Sequence, residues 1–154
     1  MAMQAIAHRR ARWSAIVLTA MLALSAAVPT GVLASEGCTP GYWKQPQHFA
    51  DWPTNVGTTS TLLKDVTAAG GSVTFVTNPL SELTLLAILQ TGGGGLDALG
   101  RHTVAALLNA GSSGVDYSPS RALIIAWFNA AYGSGDYETL KDLLEGENES
   151  GCPL

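Results

Sequence analysis

Two cysteines constrain this chain more than any other feature. Cys38 and Cys152 are its only ones, and more than 110 residues lie between them. Whether they pair depends on the compartment, because disulfides persist outside the reducing cytosol. The N-terminal residues point to export. His8, Arg9, Arg10 and Arg12 form a basic start, Ser14 to Val28 is an uncharged apolar run of 15, and Val32-Leu33-Ala34 has the small-residue pattern of a cleavage site. Such a run is short for a bilayer core about 30 Å thick. Residues 1–34 therefore read as a secretory signal, and residues 35–154 as one secreted domain. A retained N-terminal anchor is the alternative. Arg9-Arg10 lacks the following residues of a twin-arginine signal.

In that context a Cys38–Cys152 disulfide is the default, tying both ends of the domain together. Chain entropy assigns such a loop about 4–5 kcal/mol. Lipidation of Cys38 is the rival, but Ser35-Glu36-Gly37 is a poor lipobox and Cys152 would be left unpaired.

Periodicity between the cysteines is helical. Apolar residues recur at three- and four-residue spacing over 61–69, 80–91, 96–110, 119–132 and 137–145. Glycines follow nearly every segment, at Gly70-Gly71, Gly92 to Gly95, Gly111, Gly133 and Gly146. Ser118-Pro119 and Asp136 read as helix starts. The expected inner faces are Leu123, Ile124, Trp127, Phe128 and Ala131 on one helix, and Leu140, Leu143 and Leu144 on the next. Asp97 and Arg101 have the spacing of a helical ion pair. Residues 72–77 are β-branched and weakly alternating, which suggests a short extended segment without an evident partner. The expected fold is a small all-α domain with glycine-rich turns.

Charge narrows the partners. Without the signal, five basic side chains face twelve acidic ones, a net charge of −7. That balance argues against nucleic acid and against an anionic membrane surface. No cofactor is implied. Gly92 to Gly95 has no Lys-Ser/Thr behind it and no strand before it, so it is a terminator rather than a phosphate loop. His48 and His102 lack the short ligand spacings of a zinc site. No serine sits in a nucleophile elbow. The carboxylates near the C-terminus have no apolar surroundings to raise a pKa and read as solvated acids. Asn148-Glu149-Ser150 matches the glycosylation sequon.

The candidate binding residues lie in one aromatic stretch. Tyr42, Trp43, Phe49 and Trp52 fall within eleven residues, with His48 among them. Tyr42, Trp43, His48 and Trp52 are the set expected to contact a ligand if the stretch is a sugar-stacking platform. Burial as a small satellite core is the competing account, since large aromatics carry much of a core's energy.

Three blocks carry a resemblance. Cys38-Thr-Pro-Gly-Tyr-Trp-Lys44 resembles the Cys-x-Pro-Gly-Tyr-Trp-Lys signature of a group of secreted or surface proteins, mainly bacterial. Arg101-His-Thr-Val-Ala-Ala-Leu-Leu-Asn-Ala110 resembles their Arg-x-x-Val-Ala-Ala-Leu-Leu-Asn-Ala helix, and Gly151-Cys-Pro-Leu154 resembles their ending. Members often carry Asn-His after the lysine, where this chain has Gln45-Pro46. The resemblance implies export and no particular chemistry. The expected function is a secreted, non-enzymatic structural or interaction domain, meeting an envelope glycan or an extracellular protein. A carbohydrate- or envelope-binding module is the first alternative. A small extracellular hydrolase assembled around His102 is the second.

Overall fold

The computed structural model describes residues 35–154. The expected signal, residues 1–34, lies outside them. Five α-helices occur among the described residues: α1 (Pro40–Trp43), α2 (Leu85–Leu89), α3 (Gly95–Gly111), α4 (Arg121–Ser134) and α5 (Tyr137–Asn148). Short 3-10 turns and isolated antiparallel bridges make up the rest of the regular structure, so the domain is all-α as expected. Among the described residues no helix is long and apolar enough to cross a membrane.

The sequence of α3 explains its place. Every residue from His102 to Asn109 is buried. A helix apolar on all sides must be covered on all sides. The other four helices each pack on α3. They bring Trp43 from α1, Leu85 and Ile88 from α2, Ile124 and Phe128 from α4, and Leu144 from α5 into one core. Gly100 lets α2 come close, because a Cβ there would meet Leu80 Cδ1 at 2.5 Å and Ile88 Cγ2 at 3.1 Å.

Several helix boundaries differ from the sequence expectation. Residues 61–69 form no α-helix: Leu63–Asp65 is a 3-10 turn, Leu62 and Thr67 are bridge residues, and Ala69 opens another 3-10 turn, Ala69–Gly71. Their backbone pairs elsewhere: Leu63 N–H donates to Leu83 O at 3.1 Å, and Leu85 N–H to Thr61 O at 2.9 Å. Residues 80–84 are not helical either. Asn78 Oδ1 accepts from Leu80 N–H, and Ser81 Oγ from Asn78 N–H, both at 2.9 Å. The helix begins only after Thr84, whose hydroxyl accepts from Ala87 N–H at 3.1 Å. Ser120, not Ser118, caps α4. That helix runs through Gly133 to a left-handed Gly135 at φ 78°. Asp136 caps α5 as expected, and α5 continues past Gly146 to Asn148. Arg101 does not pair with Asp97. It donates to Thr91 O at 3.2 Å and Gly93 O at 2.8 Å, fastening the glycine loop before α3.

The extended segment does have partners: Thr74 bridges Thr67, with Ala68 N–H donating to Val73 O at 3.1 Å, and a side chain holds it from the other side. Asn129 on α4 accepts from Val76 N–H at 3.0 Å and donates to Thr74 O at 2.9 Å. Phe75 between them meets Phe128 edge-to-face, 5.1 Å between centroids.

The Cys38–Cys152 disulfide closes the domain. Beside it Gly37 N–H donates to Gly151 O at 2.9 Å. A Cβ on Gly37 would collide with the backbone of Glu147 and Asn148. Gly37→Ala should therefore lower the unfolding free energy by about 1–3 kcal/mol, since backbone yields poorly to overpacking. Gly146→Ala, with nothing within 4 Å of its Cβ, should instead gain about 0.5–1 kcal/mol from helix propensity. Urea denaturation of the two variants should give opposite signs.

Candidate functional site

The aromatic stretch divides into an inner and an outer part. Thr39 starts it: its hydroxyl accepts from Tyr42 N–H at 3.1 Å, and Pro40 supplies the first helical residue. One short turn then carries Trp43 into the core and leaves Tyr42 partly buried beside it. Trp43 is fully buried and Trp52 only 6% exposed. Neither can offer a ring face to a ligand arriving from solvent, which corrects the expectation that both belong to a binding platform. Indole rings bury well when the N–H finds an acceptor. Trp52 Nε1 donates to Trp43 O at 3.1 Å, and Trp43 Nε1 donates to Asn109 Oδ1 at 3.0 Å.

That last bond opens a buried polar network. Asn109 Oδ1 also accepts from Cys38 N–H at 3.0 Å. Its Nδ2 donates to Cys38 O at 3.0 Å and to Asn148 Oδ1 at 2.9 Å. All four hydrogen-bonding capacities of the amide are used. Asn148 is itself fully buried. Its Oδ1 accepts a second bond, from Tyr117 OH at 2.9 Å, and its Nδ2 donates to His102 O at 3.0 Å. The Tyr117 phenol is pushed well above its ordinary pKa, by burial first and by the nearby Glu147 charge second. Asn148 is thus committed inside the fold and is no glycosylation acceptor in the folded protein.

The network joins two of the sequence blocks named above, Cys38 and Trp43 from the first and His102 and Asn109 from the second, and through Asn148 it holds the end of α5 that leads to the third. Its signal was present in the sequence. An asparagine within the apolar Val104 to Ala110 run is a buried polar residue in need of partners. Asn148 gave no such signal, since it stands among acids.

The outer part of the stretch is Tyr42, His48 and Asp51. The Tyr42 and His48 rings stack at 3.7 Å with 26° between planes. Tyr42 OH donates to Asp51 Oδ2 at 3.0 Å, and His48 Nδ1 lies 3.2 Å from the same oxygen. Desolvation and then the Asp51 bond push the Tyr42 pKa up to about 12. Asp51 also lines a polar hollow of about 300 Å³ with Thr54, Asn55 and Ser112. Two of the four expected binding residues, Tyr42 and His48, are therefore accessible together with a carboxylate and hydroxyl groups. Sequence reasoning missed Asp51, whose signal was its place three residues after His48.

His102 sits on α3 facing α5. It is 9% exposed, its Nε2 lies 3.9 Å from Glu145 Oε1, and its Nδ1 has no hydrogen-bond partner. Burial lowers its pKa more than Glu145 raises it, and Arg101 and Lys141 add to the lowering while Glu149 opposes it. Among the described residues no cluster of three or more His, Cys, Asp or Glu could hold a metal ion. Comparison of the chain with protein-family models, with curated proteins and with solved structures finds no match.

Asn109→Ala would strand Trp43 Nε1 together with the N–H and the carbonyl of Cys38, and would leave Asn148 Oδ1 with the Tyr117 hydroxyl alone. At about 1–3 kcal/mol for each stranded buried group, the loss should exceed about 3 kcal/mol. Trp43→Phe, which leaves only one acceptor short, should cost less, and chemical denaturation at neutral pH ranks them. A second expectation concerns pH. The unfolded chain protonates His102 near its ordinary value of about 6.5, whereas the folded protein resists protonation. The stability associated with neutral His102 is complete above the unfolded value and is lost as pH falls through the lowered folded value. The urea midpoint should drop from pH 7 to pH 5, and His102→Leu should flatten that drop.

Proposed function

We propose that this chain is an exported, non-enzymatic interaction domain acting at the cell envelope or on an extracellular protein. The observation that carries the reading is where its most distinctive residues are used. Cys38, Trp43, Trp52 and Asn109 are all buried, and each is bound to the others or to the chain ends. Residues used in this way serve a rigid frame rather than turnover. The N-terminal sequence and the disulfide both support an oxidising destination. The net charge of −7 over residues 35–154 supports partners other than nucleic acid.

A second reading is favoured by one observation. Tyr42, His48 and Asp51 stand beside the polar hollow lined by Asp51, Thr54, Asn55 and Ser112. Aromatic faces next to carboxylate, amide and hydroxyl groups suit a sugar's apolar ring face and polar edge. The envelope component would then be a glycan.

Co-sedimentation with the producing organism's cell envelope tests both. Saturable pelleting, reduced at least about ten-fold by Tyr42→Ala or His48→Ala in a folded protein and competed by released envelope glycan, is the expected result. Trp43→Ala is unsuitable as a control, because it opens the core. A folded protein that stays in the supernatant would remove the envelope reading and leave soluble protein partners. Turnover of a substrate abolished by a point substitution would overturn the non-enzymatic reading itself.

A further inference from the structure

The two halves of the Cys38–Cys152 bond stand in different surroundings. Cys38 is fully buried, whereas Cys152 is exposed. Cys38 is also held without its sulfur. Its N–H donates to Asn109 Oδ1 and its carbonyl accepts from Asn109 Nδ2, both at 3.0 Å. Trp43, five residues on, donates to the same amide oxygen. The other end is held loosely. Gly151 O accepts from Gly37 N–H at 2.9 Å, but among the described residues no hydrogen bond reaches Cys152, Pro153 or Leu154, all of them exposed. The sulfur–sulfur bond is what fixes Cys152.

Thiol–disulfide exchange is a displacement at one sulfur, and access decides which one is attacked. The incoming thiolate approaches in line, from the side opposite the sulfur that leaves. A residue without exposed surface offers no such approach, so Cys38 is closed to an external thiol. Cys152 lies on the open side.

We propose that Cys152 is the exchange site of this domain, the sulfur through which a thiol–disulfide carrier closes and reopens the bond. In closure the Cys152 thiolate attacks one sulfur of the carrier's disulfide, and the carrier's other sulfur leaves as a thiolate. Cys38, giving up its thiol proton, then attacks Cys152 Sγ and expels the sulfur that the carrier left there. The carrier gains two electrons and the two cysteines lose them. Reopening runs the same steps backward. A carrier thiolate attacks Cys152 Sγ, and Cys38 leaves and takes up a proton. The carrier's second thiol then frees Cys152 as it closes the carrier's own disulfide. The mixed disulfide stands on Cys152 in both directions. Cys38 is the resolving thiol, kept in place by Asn109 whether the bond is open or closed. Opening releases the end of the chain and leaves the buried polar network intact. The inference is independent of what the domain binds.

The test starts from the reduced protein, freed of reductant, with circular dichroism to follow its fold. A brief pulse of substoichiometric N-ethylmaleimide, mapped by peptide mass spectrometry, should label Cys152 before Cys38, and it needs no substitution. In single-thiol variants, Cys152 in Cys38→Ala should react readily with an aromatic disulfide reagent. Cys38 in Cys152→Ala should react at least about ten-fold more slowly, because it must wait for local opening. Concentrated urea should bring the two rates together. The carrier is identified on the Cys38→Ala protein. An adduct with oxidised glutathione alone supports a small carrier, and an adduct that also forms with a Cys-x-x-Cys oxidoreductase supports a protein one. Equal labelling of both cysteines in the native state, or first labelling of Cys38, would overturn the assignment. Loss of the fold on reduction would overturn it too, since Cys38 would then be as open as Cys152.

Discussion

One side-chain amide holds the parts of this domain in register. Asn109 sits in the last turn of the buried central helix and binds Cys38 through its backbone, Trp43 through its indole and Asn148 through its amide. A buried amide in apolar surroundings has no water to fall back on, so any displacement of these partners leaves polar groups stranded. The first segment, the central helix and the end of the last helix can therefore shift only together. The disulfide acts at the same place by other means. Removing loop entropy from the unfolded chain is its main effect in the usual account. It restrains the unfolded chain, whereas the amide specifies the folded one.

The aromatic residues follow from that arrangement. Trp43 must reach Asn109, and Trp52 must reach the Trp43 carbonyl, so both indoles are drawn inward. Tyr42, one residue earlier on a single helical turn, is turned outward and is steadied by His48 and Asp51. The fold thus uses the apolar part of a compact motif for its own stability and leaves the polar part for whatever the domain meets.

How much of this the sequence held depends on how local the cause was. The buried central helix was legible within a residue at each end, because its apolar residues follow the helical repeat without a break between two glycine-bearing loops. The start of α5 was legible because Asp136 caps it locally. The Cys38–Cys152 bond was legible by arithmetic once export was inferred. Failures share a different cause. Residues 61–69 and 80–84 lose their helices to each other, through backbone pairing across some twenty residues that periodicity cannot register. Gly146 looked like a terminator, yet Asn148 two residues later is anchored to Asn109 and the helix is carried through it. Leu123 and Leu143 fitted the inner faces by spacing, but burial depends on what stands opposite, and nothing in the domain does. At the candidate site, Tyr42 and His48 were expected by residue type, while Asp51 emerged only when the turn brought its carboxylate to the Tyr42 hydroxyl and His48 Nδ1.

The covalent closure has a mechanical side. Cys38 and Cys152 bring the two ends of the domain within 4.4 Å, Cα to Cα. A force applied to the chain before Cys38 and after Cys152 passes straight through the sulfur–sulfur bond. The helices between them form a closed ring off the load path and feel no extension. Tethered at one end and pulled at the other, the domain would transmit tension as a short covalent link while its core stayed folded. Reduction of that one bond would turn the same domain into more than 110 residues of extensible chain.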